Sequence, residues 1–184
     1  MADGIFYNDL REPAIETDIA AVTLAATNKA LYPVSNHPIL GGQYFARRGK
    51  KLRYRLFGRI TTGITPGNLT LAVLFGTGAD ANGVSLAASA AQTLIASQTN
   101  LSWELELYVH CRSIGNAGTL FCTGKAFFNP AVIAVGDFLI PASAPAVSGA
   151  CDLTAALIPS IQALRSGSTG ETMQVHDMEV IALN

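Results

Sequence analysis

The segment 51-KLRYRLFGRIT-61 constrains the fold more than any other. On an extended chain, Leu52, Tyr54, Leu56, Gly58 and Ile60 share one face, and Lys51, Arg53, Arg55, Phe57 and Arg59 share the other. The segment 101-LSWELELYVHCR-112 alternates more cleanly still. Leu101, Trp103, Leu105, Leu107, Val109 and Cys111 face one way, and Glu104, Glu106, Tyr108, His110 and Arg112 face the other. Period-two patterning of this length predicts strands of an antiparallel sheet, dry on one face and wet on the other.

The same period predicts strands at 69-LTLAVLFG-76, 119-TLFCTGKAFFN-129, 131-AVIAVGDFLIP-141 and 171-ETMQVHDMEVIAL-183, with weaker ones at 19–25 and 39–46. Pro66 and Gly67 in 65-TPGN-68 predict a type II turn, so 49–83 reads as two strands joined by that turn. Helix signals are scarce. The segment 81–97 holds helix-compatible alanines but also suits a loop leading into a short strand. A second helix candidate is 152-DLTAALIPSIQALR-165, with Asp152 capping a turn and Pro159 limiting its length. The sum is an all-β chain: a jelly-roll-like antiparallel β-sandwich of about eight to ten strands. Residues 1–18 read as an extended acidic N-terminal arm and 19–184 as a single β-sandwich domain. The Pro/Ala/Ser-rich loop 140–149 is expected to cross the surface.

Charged residues make up 14% of the 184-residue chain, against about a quarter in an ordinary globular protein. Such a low content suits a surface partly covered by other subunits. The net charge of −1 gives no global case for nucleic acid. The charge is, however, segregated. Asp3, Asp9, Glu12, Glu16 and Asp18 fall in the first 18 positions against the single base Arg11. Arg47, Arg48, Lys50, Lys51, Arg53, Arg55 and Arg59 are seven of the chain's twelve bases within 13 positions. This basic stretch is read as one half of a protein–protein interface. Glu104 and Glu106 on another strand, and the acidic arm, are its natural partners. Nucleic acid fits less well, because Phe57 is the only aromatic interleaved with the outward arginines.

No apolar run approaches the roughly 18–20 residues that span a bilayer, and the N-terminus lacks a hydrophobic signal core, so synthesis in the cytoplasm and no membrane partner are expected. The thiols Cys111, Cys122 and Cys151 form no CxxC pair and are expected to be buried. GxSxG, the P-loop and GxGxxG are absent. The fragment 80-DANG-83 lacks the downstream acid of a calcium loop and reads as a plain turn. His37, His110 and His176 stand apart without metal spacing. Alternation points His176 away from Asp177 and Glu179, and places His110 outward for a surface hydrogen bond. Glu104 and Glu106 share a face and could serve as an acid–base pair in a shallow sugar groove with Tyr108 and His110, but nothing fixes them there. The expectation is no catalytic residue, no metal and no cofactor.

The stretches 58-GRITTGITPGNLTLAVLFGTG-78 and 92-QTLIASQTNLSWELELYVHCRSIGNAGTLFCTGKAFFN-129 resemble virion structural proteins of tailed bacteriophages. The likeness covers most of 31–184, including the tail 166-SGSTGETMQVHDMEVIALN-184. Such proteins are similar to jelly-roll capsid decoration, or cement, proteins. The resemblance implies no catalytic residues, and it carries over Trp103 as a core position and Pro66 and Gly67 as turn positions. It implies a homo-oligomer, a trimer, seated on the major capsid protein at the virion surface. Multivalent clamping of neighbouring capsomers then stabilises the shell. The competing expectation is a tail or head-surface module that binds host carbohydrate.

Overall fold

A computed structural model describes residues 18–33, 44–76, 83–167 and 170–183. It holds eleven strands and, among the described residues, no helix. They are β1 (Val22–Thr23), β2 (Lys29–Ala30), β3 (Lys51–Thr61), β4 (Asn68–Gly76), β5 (Val84–Ala88), β6 (Gln92–Thr93), β7 (Leu101–Ser113), β8 (Thr119–Phe128), β9 (Asp137–Ile140), β10 (Ile158–Arg165) and β11 (Thr172–Ala182). Sheet A runs β1-β11-β3-β7-β8-β9 and sheet B runs β2-β10-β4-β5, with β6 also paired to β4. Every pairing is antiparallel. The two sheets make the expected β-sandwich. Its early strands close on its last: β3 pairs with β11 in one sheet, and β4 pairs with β10 in the other.

The core lies between the sheets. Leu52, Tyr54, Leu56 and Ile60 of β3 and Trp103, Leu105, Leu107 and Val109 of β7 meet Leu69, Leu71, Val73 and Phe75 of β4 and Ile161 and Ala163 of β10. Trp103 is buried and stacks on Phe128, with ring centroids 6.1 Å apart. Gly58 lies directly opposite Trp103 in the ladder. A Cβ there would meet the Gln174 carbonyl oxygen and the Trp103 ring, so the strand needs glycine at this point.

Four sequence readings need correction. First, β3 and β4 are not a hairpin. They belong to different sheets, and residues 62–67 arch over the sandwich between them. Second, Gly67 does not supply a left-handed turn. The positive-φ glycines among the described residues are Gly49, Gly115 and Gly136. Gly67 is needed because the backbone of Ser166 and Gly167 presses against it. Third, 152–165 is no helix. Asp152 caps a turn, its Oδ1 accepting from the Thr154 N–H at 2.9 Å, and β10 follows. Ser160 and Gln162 are buried on the face opposite Ile161 and Ala163. Burial on both faces masks the period-two signal in the sequence. Fourth, the strand expected over 131–141 shrinks to β9. Residues 129–136 instead form a compact turn, in which Val132 and Ile133 donate to the Asn129 carbonyl and plug the sandwich end.

The other readings fall nearer. In 81–97 the described part holds the short strands β5 and β6. Of 39–46, residues 39–43 lie outside the described residues, and Tyr44 and Phe45 are not in a strand. Residues 142–147 are exposed, and the loop then runs beside β8, where Val147 bridges Phe121 and Cys151 bridges Gly118 just before the strand.

Candidate functional site: the outer face of sheet A

Alternation turns the odd residues of β3 outward, between β11 and β7. The register then sets opposite charges side by side. Arg55 lies opposite Glu179 of β11 and Glu106 of β7, and Glu106 lies opposite Lys125 of β8. Acid and base thus alternate across four strands, the arrangement in which cross-strand pairs attract. The ion pairs form on the diagonals. Arg55 reaches Glu104 at 3.0 Å and Arg53 reaches Glu179 at 3.2 Å. Arg59 donates to the Gln174 amide oxygen at 2.8 Å, and the Tyr108 hydroxyl donates to Glu106 at 2.9 Å. The Glu104 hydrogen bond holds the Arg55 pKa above its ordinary value. Cations also cover aromatic rings, with Arg55 on Phe57 at 5.1 Å and Lys125 on Phe127 at 4.6 Å.

The basic stretch of the sequence therefore divides. Arg53, Arg55 and Arg59 are held within the sheet. Arg47, Arg48 and Lys50 sit in the turn before β3, where Gly49 takes φ +82° and its N–H donates to the Cys111 carbonyl at 2.8 Å. Lys51 lies opposite His110. With Arg112 at the end of β7, these residues form a basic corner. A cavity of about 190 Å³ opens there, lined by Arg47, Arg48, Gly49 and Lys50. Burial, then the Arg47 charge, lowers the Lys50 pKa. Burial, then Lys51 and Arg112, lowers that of His110.

The acid–base pair imagined for Glu104 and Glu106 has other partners here, Arg55 for the first and Tyr108 for the second. His110 packs edge-on against Phe121 instead of forming the expected surface hydrogen bond. His176 occupies a β-bulge, where the register slips between Val175 and Asp177, and its Nδ1 lies 2.7 Å from Asp18. Simple alternation could not foresee that slip. Asp9, Glu12 and Glu16 of the expected arm, and His37, lie outside the described residues. Among the described residues, no group of three or more His, Cys, Asp or Glu side chains could hold a metal ion. Cys111, Cys122 and Cys151 are free and buried, and burial pushes the Cys122 thiol up to about 12.

One polar pair was not singled out in the sequence. Glu171 is fully buried, and its carboxylate meets Arg165 at 2.9 Å. Arg165 also donates to the carbonyls of Leu24 and Gly167, both at 2.6 Å. Leu24 in turn donates its N–H to the Glu171 carbonyl at 2.8 Å. The network ties the β10–β11 crossover to the chain following β1. Its only sequence signal is an acid and a base flanking the Gly/Ser-rich stretch 166–170.

No protein-family model matches the chain, and a search of curated proteins gives no match.

Proposed function

We propose that this chain is a structural protein of a tailed-bacteriophage virion, which oligomerises and binds the capsid surface as a decoration or minor capsid protein. The resemblance stated above supplies the virion. The observation that carries the docking role is the outer face of sheet A. Arg53, Arg55, Glu104 and Glu179 are already fixed by ion pairs, Arg59 and Glu106 by hydrogen bonds, and the charged groups of Arg55 and Lys125 lie over aromatic rings. A face ordered before binding loses little side-chain entropy on docking, which favours protein recognition over chemistry. Beside it, Phe127, Leu139 and Val135 present apolar surface near the β9 edge, Leu139 being 70% exposed. Charged rows next to an apolar strip match the polar rim and apolar centre of a protein interface. Partners on this reading are the major capsid protein and further copies of the chain, as a trimer, with no direct contact to nucleic acid or membrane. Against the carbohydrate-binding alternative, the single tryptophan is buried and the Tyr108 hydroxyl is engaged by Glu106.

The test is incubation of the purified protein with undecorated capsids, followed by co-sedimentation and imaging. Saturable binding at symmetry-related surface positions is expected. Failure to bind, with labelling of the tail tip in virions, would sink the proposal. A stable monomer in mass measurement would remove the trimeric clamp.

A further inference from the structure

We propose that the basic corner at the start of β3 is a binding site for an acidic polypeptide segment of a partner protein. Four cations converge there without a counter-charge: none of Arg47, Arg48, Lys50 and Arg112 forms an ion pair with a described residue. The contrast with Arg53, Arg55 and Arg165, each paired to a carboxylate, lies within one molecule. The corner is also built. The Gly49 N–H donates to the Cys111 carbonyl, and the Cys111 N–H donates back to the Lys50 carbonyl at 2.9 Å. Lys50 rests on the Tyr44 ring at 4.7 Å and Arg112 on the Phe121 ring at 4.5 Å. Both charges are held in place before a ligand arrives, Lys50 with Arg47 and Arg48 on a cavity of about 190 Å³ and Arg112 on the neighbouring strand.

Three observations favour carboxylates of a polypeptide over a nucleic acid. The positive surface is short: Glu106 stands four residues along β7 from His110, on the order of 13 Å away. A phosphate chain extending along the sheet would run onto Glu106 and Glu104. The rings that could stack bases, Tyr44 and Phe121, already carry Lys50 and Arg112 on a face. The chain as a whole is slightly acidic. A few carboxylates matched to guanidinium forks fit a corner of this extent. An anion seated there also relieves the repulsion that Lys51 and Arg112 exert on His110.

This inference deepens the docking reading and rests on it for the nature of the partner, yet it is measured separately. Fluorescein-labelled octaglutamate is titrated with the full chain at about 50 mM salt and followed by anisotropy, with octathymidylate and inorganic phosphate as the other arms. Octaglutamate is expected to bind, more tightly than octathymidylate. Combining Arg47→Ser, Arg48→Ser and Arg112→Ser should weaken it about tenfold or more. Arg53→Ser with Arg55→Ser should leave it within about twofold, because those cations are already paired. The variants are confirmed folded by circular dichroism; Arg47→Glu alone, in the exposed turn, serves if the triple variant is not. No octaglutamate binding, equal loss in the Arg53/Arg55 variant, tighter octathymidylate binding, or phosphate displacing the peptide at equal charge would each overturn the proposal. Peptide binding without capsid binding would instead remove the capsid reading and leave the site.

Discussion

Replacing Arg165 or Glu171 singly should damage the fold more than any surface change. Glu171 is 0% exposed and Arg165 14%, so removing one leaves the other charged in a site that water barely reaches. Breaking a buried pair in this way costs about 3–5 kcal/mol. For a domain of this size each kcal/mol lowers the melting temperature by about 2–4 °C, so Arg165→Met should lower it by roughly 10 °C. Arg165→Met also strips the Leu24 and Gly167 carbonyls of their donor. Glu171→Gln keeps the shape and loses only the charge, so it should sit at the lower end of the range. The double variant Arg165→Met/Glu171→Leu removes both charges and should recover the part of the loss due to the stranded charge, while the Leu24 and Gly167 carbonyls stay without their donor. Calorimetry of the parent chain, Arg165→Met, Glu171→Leu and the double variant closes the cycle. Single losses below about 1 kcal/mol that add in the double variant would show that Arg165 and Glu171 are not a coupled buried pair.

Other outcomes follow from the same geometry. Gly58→Ala drives a Cβ into the Gln174 carbonyl and should cost about 1–3 kcal/mol by urea unfolding. Trp103→Leu should not rescue it, because the closest clash is with backbone. The pKa of His110 is depressed in the folded chain, so the unfolded chain binds the proton more readily. Its contribution to stability is present above the ordinary value of 6.5 and is lost as pH falls through the folded value. His110→Gln should therefore flatten stability against pH between neutral and mildly acid conditions. Arg53→Glu with Arg55→Glu should weaken assembly, and reversing Glu104 and Glu179 to Arg should restore part of it. Glu179, the observed partner of Arg53, enters this rescue where the sequence alone pointed to Glu106. No rescue would exclude the in-sheet pairs as the ordering device.

What could be read in the sequence depended on how each strand meets water. β3 and β7 bury one face and wet the other, so their alternation gave strand, face and core residues directly. β10 buries both faces, and 71-LAVLF-75 of β4 is apolar on both, so local pattern could not separate inside from outside. The arch between β3 and β4 carries the same Pro-Gly signal as a hairpin, because sheet membership is decided by distant partners. The basic stretch was visible as composition. Its division into a paired face and an unpaired corner was not, since Arg53 finds Glu179 across 126 positions of chain. The His176 bulge was hidden for the same reason: nothing within β11 announces that its register slips against β3.

The outer face of sheet A is the proposed docking face for an assembled protein shell. The most direct measurement is a cryo-electron-microscopy map of undecorated capsids incubated with this chain. On that proposal, added density is expected in which β3 and β7 turn their outer faces toward the capsid. Density with that face turned to solvent, or no density at saturating protein, would contradict it.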